Sequence, residues 1–167
     1  IITDEGTIWH LQEGSRPDSL TADSLYRVVS RFAPVADSEA VAYSFWEVIS
    51  PLPKPESEYE SIHLDPVDIQ SIWQSGDYLN MVLQVMVKDK EHELSFIDNG
   101  ITSNANGTQT LHLTLFHHRK DDVEGFMQKY YLSVPLWHYQ GKLNKGDTIV
   151  FELYTYKEGM TQRTFTY

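Results

Sequence analysis

The chain contains no cysteine, which removes disulfide staples, thiolate nucleophiles and cysteine-ligated zinc or iron–sulfur sites from consideration. It is also poor in positive charge: 13 Lys and Arg stand against 24 Asp and Glu, a net charge of -11 in 167 residues. Such a field repels nucleic acid and anionic headgroups, so no nucleic-acid partner is expected. No run of roughly 18 or more apolar residues is present, so no stretch reads as a membrane-spanning helix. Neither a G-x-S-x-G nucleophile elbow nor a glycine-rich phosphate loop occurs, and no cofactor is expected. What is present is ordinary for a folded domain, 41% hydrophobic and 22% charged residues, a composition that can bury a core.

The stretch Asp65 to Lys88 organises the rest. Leu79, Met81, Leu83, Val85 and Val87 fall on one face and Asn80, Gln84 and Lys88 on the other, the period-two pattern of a half-buried strand. The residues before it, around Trp73 to Tyr78, read as a polar corner. Upstream, alternation and β-branched content predict strands over Thr7 to Leu11, Tyr26 to Pro34 and Ala40 to Ile49, with a turn at Asp37-Ser38-Glu39 and a short helical turn near Ser19 to Ser24. Downstream, Lys88 to Glu91 reads as a charged turn into a hairpin partner over His92 to Ile97, ended by Asp98-Asn99-Gly100. Further strands are predicted around Leu111, Leu113 and Leu115, over Tyr130 to Leu136, Thr148 to Tyr156 and Thr161 to Tyr167. The core is expected to come from Leu79, Met81, Leu83, Val85, Leu111, Leu113, Leu115, Ile149, Phe151 and Leu153. With no amphipathic helix and no repeat, the fold class is all-β.

Between Ser50 and Ser61 the composition changes, with Pro51, Pro53 and Pro55 followed by Glu56, Glu58 and Glu60. Proline fixes φ and like charges repel, so this is read as a semi-rigid connector. It divides the chain into residues 1–55, part of a small barrel, and residues 56–167, a two-sheet sandwich.

Seven histidines raise the question of a metal. His117 and His118 are adjacent in a strand and point to opposite faces, while His112 and His118 share a face roughly 20 Å apart. A site would need a cross-strand partner, and no metal is expected. Asp65 with Asp68, and Asp121 with Asp122, are the carboxylate pairs a glycosidase would require across a cleft, but turn chemistry accounts for both. The aromatic residues Trp9, Trp46, Trp73, Tyr78 and Trp137 are the candidates for a binding platform or for packing.

The corner and strand Trp73 to Met81, WQSGDYLNM, with its Asp65-Pro66 lead-in, resembles the C-terminal domain of the NigD-like proteins, a lipoprotein family of Bacteroidetes. Leu113-x-Leu115-x-His117 followed by Asp121 is similar to that family's leucine-rich strand ending in a histidine and an acidic turn. Gly6 in an acidic turn and Arg27-Val28 opening a strand are similar to its N-terminal domain, an oligonucleotide/oligosaccharide-binding (OB) type barrel. The resemblance covers most of the chain. It implies an N-terminal partial OB-like barrel followed by a C-terminal antiparallel β-sandwich. It also implies a processed, exported, lipid-anchored protein of the cell envelope without an established activity. The start at Ile1-Ile2-Thr3, without methionine, agrees with the expectation of an upstream segment that sets its address; membrane attachment would come only through a lipid anchor that these residues do not carry. The reading is therefore a non-enzymatic envelope protein, in the periplasm or at the outer-membrane surface, that binds a protein or glycan. The alternatives are a carboxylate-dependent hydrolase of carbohydrate and a structural subunit of an envelope assembly.

Overall fold

The apolar face of β6 (Tyr78–Val87) lies at the middle of a three-stranded sheet, between β5 (Asp68–Ser75) and β9 (Phe126–Pro135), both antiparallel to it. This computed structural model describes residues 1–15, 21 and 23–167; of the helical turn expected over residues 19–24, positions 19, 20 and 22 lie outside the described ones. Facing β5–β6–β9 is a five-stranded sheet in the order β11 (Gly159–Thr166), β10 (Thr148–Thr155), β8 (Gln109–His118), β7 (Glu93–Ser103), β4 (Lys54–Pro55). Within it β10 runs parallel to β8, and β4 parallel to β7. All ten residues expected in the core are 2% exposed or less, because alternation on β6, β8 and β10 aims one set of side chains into the space between the sheets. Phe96, Leu132, Val134, Leu136 and Tyr139 complete that core. The protein is all-β, with a two-sheet sandwich, and its only helical pieces among the described residues are single 3₁₀ turns at Glu56–Glu58 and Leu136–Tyr139.

The N-terminal part forms a separate three-stranded sheet in the order β1 (His10–Leu11), β3 (Glu39–Glu47), β2 (Val28–Ala36). β2 and β3 make the expected hairpin over a turn in which Ser38 has φ 61°. Two register shifts in that hairpin, one of them at Pro34, let β2 run past the proline to Ala36, since proline is tolerated at a bulge.

Three expectations are corrected. β5 is a full strand where a corner was read; its sequence, DIQSIWQS, is mostly polar because it is an edge strand with one side to solvent. β7 does not return beside β6 but crosses to the opposite sheet and pairs with β8. The physical reason is that Leu94 and Phe96 then meet the apolar face of β6 across the core instead of extending it sideways. Finally, Asp98-Asn99-Gly100 does not end β7, which continues through a bulge to Ser103. Side chains take over the interrupted ladder: Gly100 N–H donates to Asp98 Oδ1 at 2.8 Å and Asn99 Nδ2 to Thr114 Oγ1 at 2.8 Å.

The proline-rich stretch is held against the sandwich rather than standing free. Ile49 bridges Leu132 on the outer edge of β9, Pro53 is buried, and Lys54–Pro55 form β4 against β7. Tyr59 then donates to the carbonyl of Phe96 at 3.0 Å and stacks on Phe116 with ring centroids 4.7 Å apart. Prolines suit this course because a chain that covers a sheet edge need offer few N–H donors on its outer side.

Candidate functional site

Two groups of polar side chains are drawn together by this topology, and one of them lies at a cavity. The outer face of the β5–β6–β9 sheet carries Trp73, Asn80 and Ser133 in one cross-strand row. Over this row comes Arg27, just ahead of β2. Its guanidinium forms a two-pronged ion pair with Asp4, at 2.8 Å for the Nη2–Oδ2 contact, and donates to Asn80 Oδ1 at 2.9 Å. It also lies 3.8 Å above the centre of the Tyr78 ring, a cation–π placement suited to a planar cation. Ser133 Oγ donates to Asn80 Oδ1 at 2.5 Å, so the asparagine oxygen accepts from both sides. The hydrogen bonds from Arg27 hold the Asp4 carboxyl below the usual carboxylate range, although burial pushes it the other way. Gly76, in the β5–β6 turn at φ +52°, makes room for this approach: a Cβ there would fall 2.3 Å from the carbonyl oxygen of Asp4.

Beside this knot, between the N-terminal sheet and the sandwich, lies a cavity of about 520 Å³. Its walls are chiefly apolar, with Val29, Phe32 and Phe45 on one side and Trp73 and Tyr131 on the other. Ser30 also lines it, and its buried hydroxyl has no hydrogen-bond partner. Of the aromatic candidates, Trp73 lines the cavity and is 42% exposed. Tyr78 sits under Arg27. Trp46 packs on Tyr131 at 6.2 Å and Trp9 on Phe32 at 6.0 Å, each just behind a lining residue. Trp137 lies elsewhere, edge-on to His138 on the second 3₁₀ turn.

The histidines form the second group. Adjacent His117 and His118 do point to opposite faces, and each meets a histidine from another segment. His118 stacks on His63 with centroids 3.6 Å apart. His117 Nε2 lies 2.9 Å from His92 Nδ1, and its Nδ1 is 3.0 Å from the carbonyl oxygen of Asp65. Among the described residues no set of three or more His, Asp or Glu is arranged to hold a metal ion. The carboxylate pairs separate into structural tasks: Asp65 pairs with Arg119, Asp68 accepts from Gln70, and Asp122 caps the backbone after β6. None of these lines the seam cavity. A second hollow of about 490 Å³ on the outer face of the large sheet does hold Glu56, Glu152 and His112, but no Trp, Tyr or Phe.

The family model for the NigD-like C-terminal beta sandwich domain matches residues 50–167. The chain belongs to the NigD-like family. A crystal structure of a NigD-like immunity protein from Bacteroides caccae is 31% identical, with a TM-score of 0.70 over 85% of this chain and 76% of that one. A protein of unknown function from Bacteroides vulgatus, 18% identical, superposes with a TM-score of 0.75 over 99% of this chain and 82% of that one. A candidate lipoprotein from Bacteroides fragilis shares the fold at 10% identity, with a TM-score of 0.62 over 98% and 88% of the two chains. Among curated proteins none matches.

In this NigD-like chain some of the segments that carried the resemblance meet in space. The acidic turn before Gly6 supplies Asp4, Arg27 lies just ahead of β2, and Tyr78 and Asn80 begin β6, all within the one knot. Sequence reading singled out these positions separately but could not join them, since they lie 23 and 53 residues apart. Asp122 stood out only as half of a carboxylate pair with Asp121, and His92 only as the first residue of a strand; that the two meet, with Asp122 Oδ2 3.4 Å from His92 Nε2, was not legible.

Proposed function

We propose that this protein is an exported, lipid-anchored cell-envelope protein that acts by binding, without catalytic chemistry of its own, and that its binding site is the seam cavity between the N-terminal sheet and the sandwich. The observation that carries this is the cavity itself: its lining is chiefly apolar, with Val29, Phe32, Phe45, Trp73 and Tyr131, and includes the polar groups of Asp4, Arg27 and Asn80, the make-up of a ligand site. A glycan would need many hydrogen-bonding partners in those walls, so the lining favours an apolar segment of a protein. The likeness to an immunity protein supports a protein partner as well. The two units expected over residues 1–55 and 56–167 share the site in this reading; the family match from residue 50 and the pairing of Lys54–Pro55 with β7 support a boundary nearer residue 50.

Purified chain immobilised and exposed to solubilised native envelope, alongside a glycan array, tests this reading. Trp73→Ala is the diagnostic variant, because the ring is partly exposed and its loss leaves the sandwich core untouched. We expect one defined protein to be retained and its affinity to fall at least tenfold with Trp73→Ala. Retention unaffected by that change, or turnover of a glycan abolished by Asp65→Asn or Asp122→Asn, would overturn it.

A further inference from the structure

The buried pair His92 and His117 has a determinate arrangement of protons, independent of the cavity. His117 is 1% exposed, and the side chains of His92 and Asp122 are 1% and 2% exposed, so water does not supply missing partners. The carbonyl oxygen of Asp65, 3.0 Å from His117 Nδ1, can only accept, so that nitrogen carries a proton. If His117 is neutral, its Nε2 is a lone pair, and His92 Nδ1 at 2.9 Å must donate to it. Burial favours the neutral form of His117, although the Asp65 carbonyl works in the opposite direction.

The remaining nitrogen, His92 Nε2, makes no hydrogen bond and lies 3.4 Å from Asp122 Oδ2. A lone pair there would face a carboxylate. Asp122 itself is fixed as the anion: although burial opposes it, the backbone N–H groups of Lys88, Asp89 and Lys90 hold its carboxyl well below the usual range. Lys88 N donates to Oδ2 at 2.7 Å, and Asp89 N and Val123 N donate to Oδ1 at 3.1 and 3.0 Å. An anion that only accepts, facing a buried nitrogen, calls for a proton on His92 Nε2, which with the protons at the Asp65 carbonyl and in the His92–His117 contact makes three on the four ring nitrogens.

We propose that His92 and His117 together hold one positive charge against Asp122, and that this shared proton latches the 119–125 loop onto the turn that follows β6. Each element packed around the pair contributes to the same balance. The turn brings Lys88, Asp89, Lys90 and Glu91, with Lys90 Nζ donating to the carbonyls of Lys120 and Asp121 at 2.6 and 3.4 Å. β7 contributes Glu93 opposite His118, itself stacked on His63, and the lead-in to β5 contributes Asp65, whose carboxylate takes Arg119. Losing the proton puts a lone pair against the carboxylate; gaining a second puts two N–H groups against each other at the His92–His117 contact. The latch therefore holds at one charge per pair and loosens on either side of it.

The sign follows from proton counts. An unfolded pair of ordinary imidazoles binds about one proton in total near pH 6.5. Above that pH the native pair holds more protons than the unfolded one, so stability falls as pH rises; below it the native pair holds fewer, so stability falls as pH drops. The limiting slope on each limb is about tenfold in the folding equilibrium per pH unit.

Nitrogen-detected NMR of the histidine rings in the intact chain, from pH 5 to 8.5, reads this directly. At pH 7 we expect three of the four ring nitrogens of the pair to carry protons, His117 Nδ1 and His92 Nε2 among them. Between pH 6 and 8.5, amide exchange at Lys88 and Asp89, corrected for intrinsic base catalysis, should speed up by about tenfold as the latch loosens. Two or four protons on the pair at pH 7, a bare His92 Nε2 facing Asp122, or amide protection that does not follow the ring signals would each overturn the proposal. Wild-type spectra suffice, so the result does not depend on whether a variant folds.

Discussion

Arg27 is the residue on which the seam depends. Each of its partners loses an interaction without it: Asp4 loses a two-pronged partner, Asn80 loses a donor, and the Tyr78 ring loses the cation above it. Hydrogen bonds to charged groups contribute about 1.5 to 3 kcal/mol, and partial exposure of both Arg27 and Asp4 brings the expectation to the lower end. Chemical denaturation of Arg27→Ala should therefore show a loss of about 1 to 2 kcal/mol, with faster amide exchange in residues 1–9; a change confined to the sandwich would place the seam elsewhere. Gly76→Ala should act on the same contact, since a left-handed φ costs a non-glycine residue about 1 to 3 kcal/mol and the added carbon meets the Asp4 carbonyl. Because the folded-state carboxyl groups of Asp4 and Asp122 titrate below their ordinary range, their stabilisation is complete above about pH 4 and is lost as pH falls further. An acid titration followed by circular dichroism should accordingly steepen below about pH 4; a profile flat down to pH 2 would contradict those assignments.

At the scale of elements, the strands that were legible are the ones with one apolar face. β6, β8 and β10 announce themselves by alternation, and their inward residues are all in the core. Leu83→Ala should cost on the order of 2 to 5 kcal/mol, measured by urea unfolding, because Leu83 is fully buried at the centre of β6; a loss below about 1 kcal/mol would mean a shifted register. β5 was illegible because an edge strand with a solvent face has no need of the apolar period that betrays its neighbour. The crossing of β7 was illegible for a different reason. Local sequence shows that a strand follows the charged turn, but which sheet it joins depends on Leu94 and Phe96 finding the apolar face of β6 across the core, a contact between two sheets that no local pattern specifies. The prolines, read as a semi-rigid connector, run along a sheet edge where missing donors do no harm, with Lys54 and Pro55 paired to β7.

For the whole molecule, the division of labour between the two parts is the main consequence. Residues 50–167 contain both sandwich sheets and the edge-covering stretch through Lys54–Pro55, so this fragment is expected to fold and unfold cooperatively when expressed alone, as judged by calorimetry. Failure to fold would mean that the N-terminal sheet is part of the same unit. The site was half legible. Arg27, Tyr78 and Asn80 stood out as residues, and Trp73 as a candidate, but the cavity exists only once β2 and β3 are laid over the outer face of β5–β6–β9, an arrangement that no local pattern encodes. The most direct test of the binding site is hydrogen–deuterium exchange of the intact chain with and without the retained envelope partner. The seam reading predicts new protection in residues 26–32, around Trp73 and at 131–133, with the outer face of the large sheet unchanged. Protection confined instead to the surface around His112 and Glu152, with the seam unaltered, would contradict it.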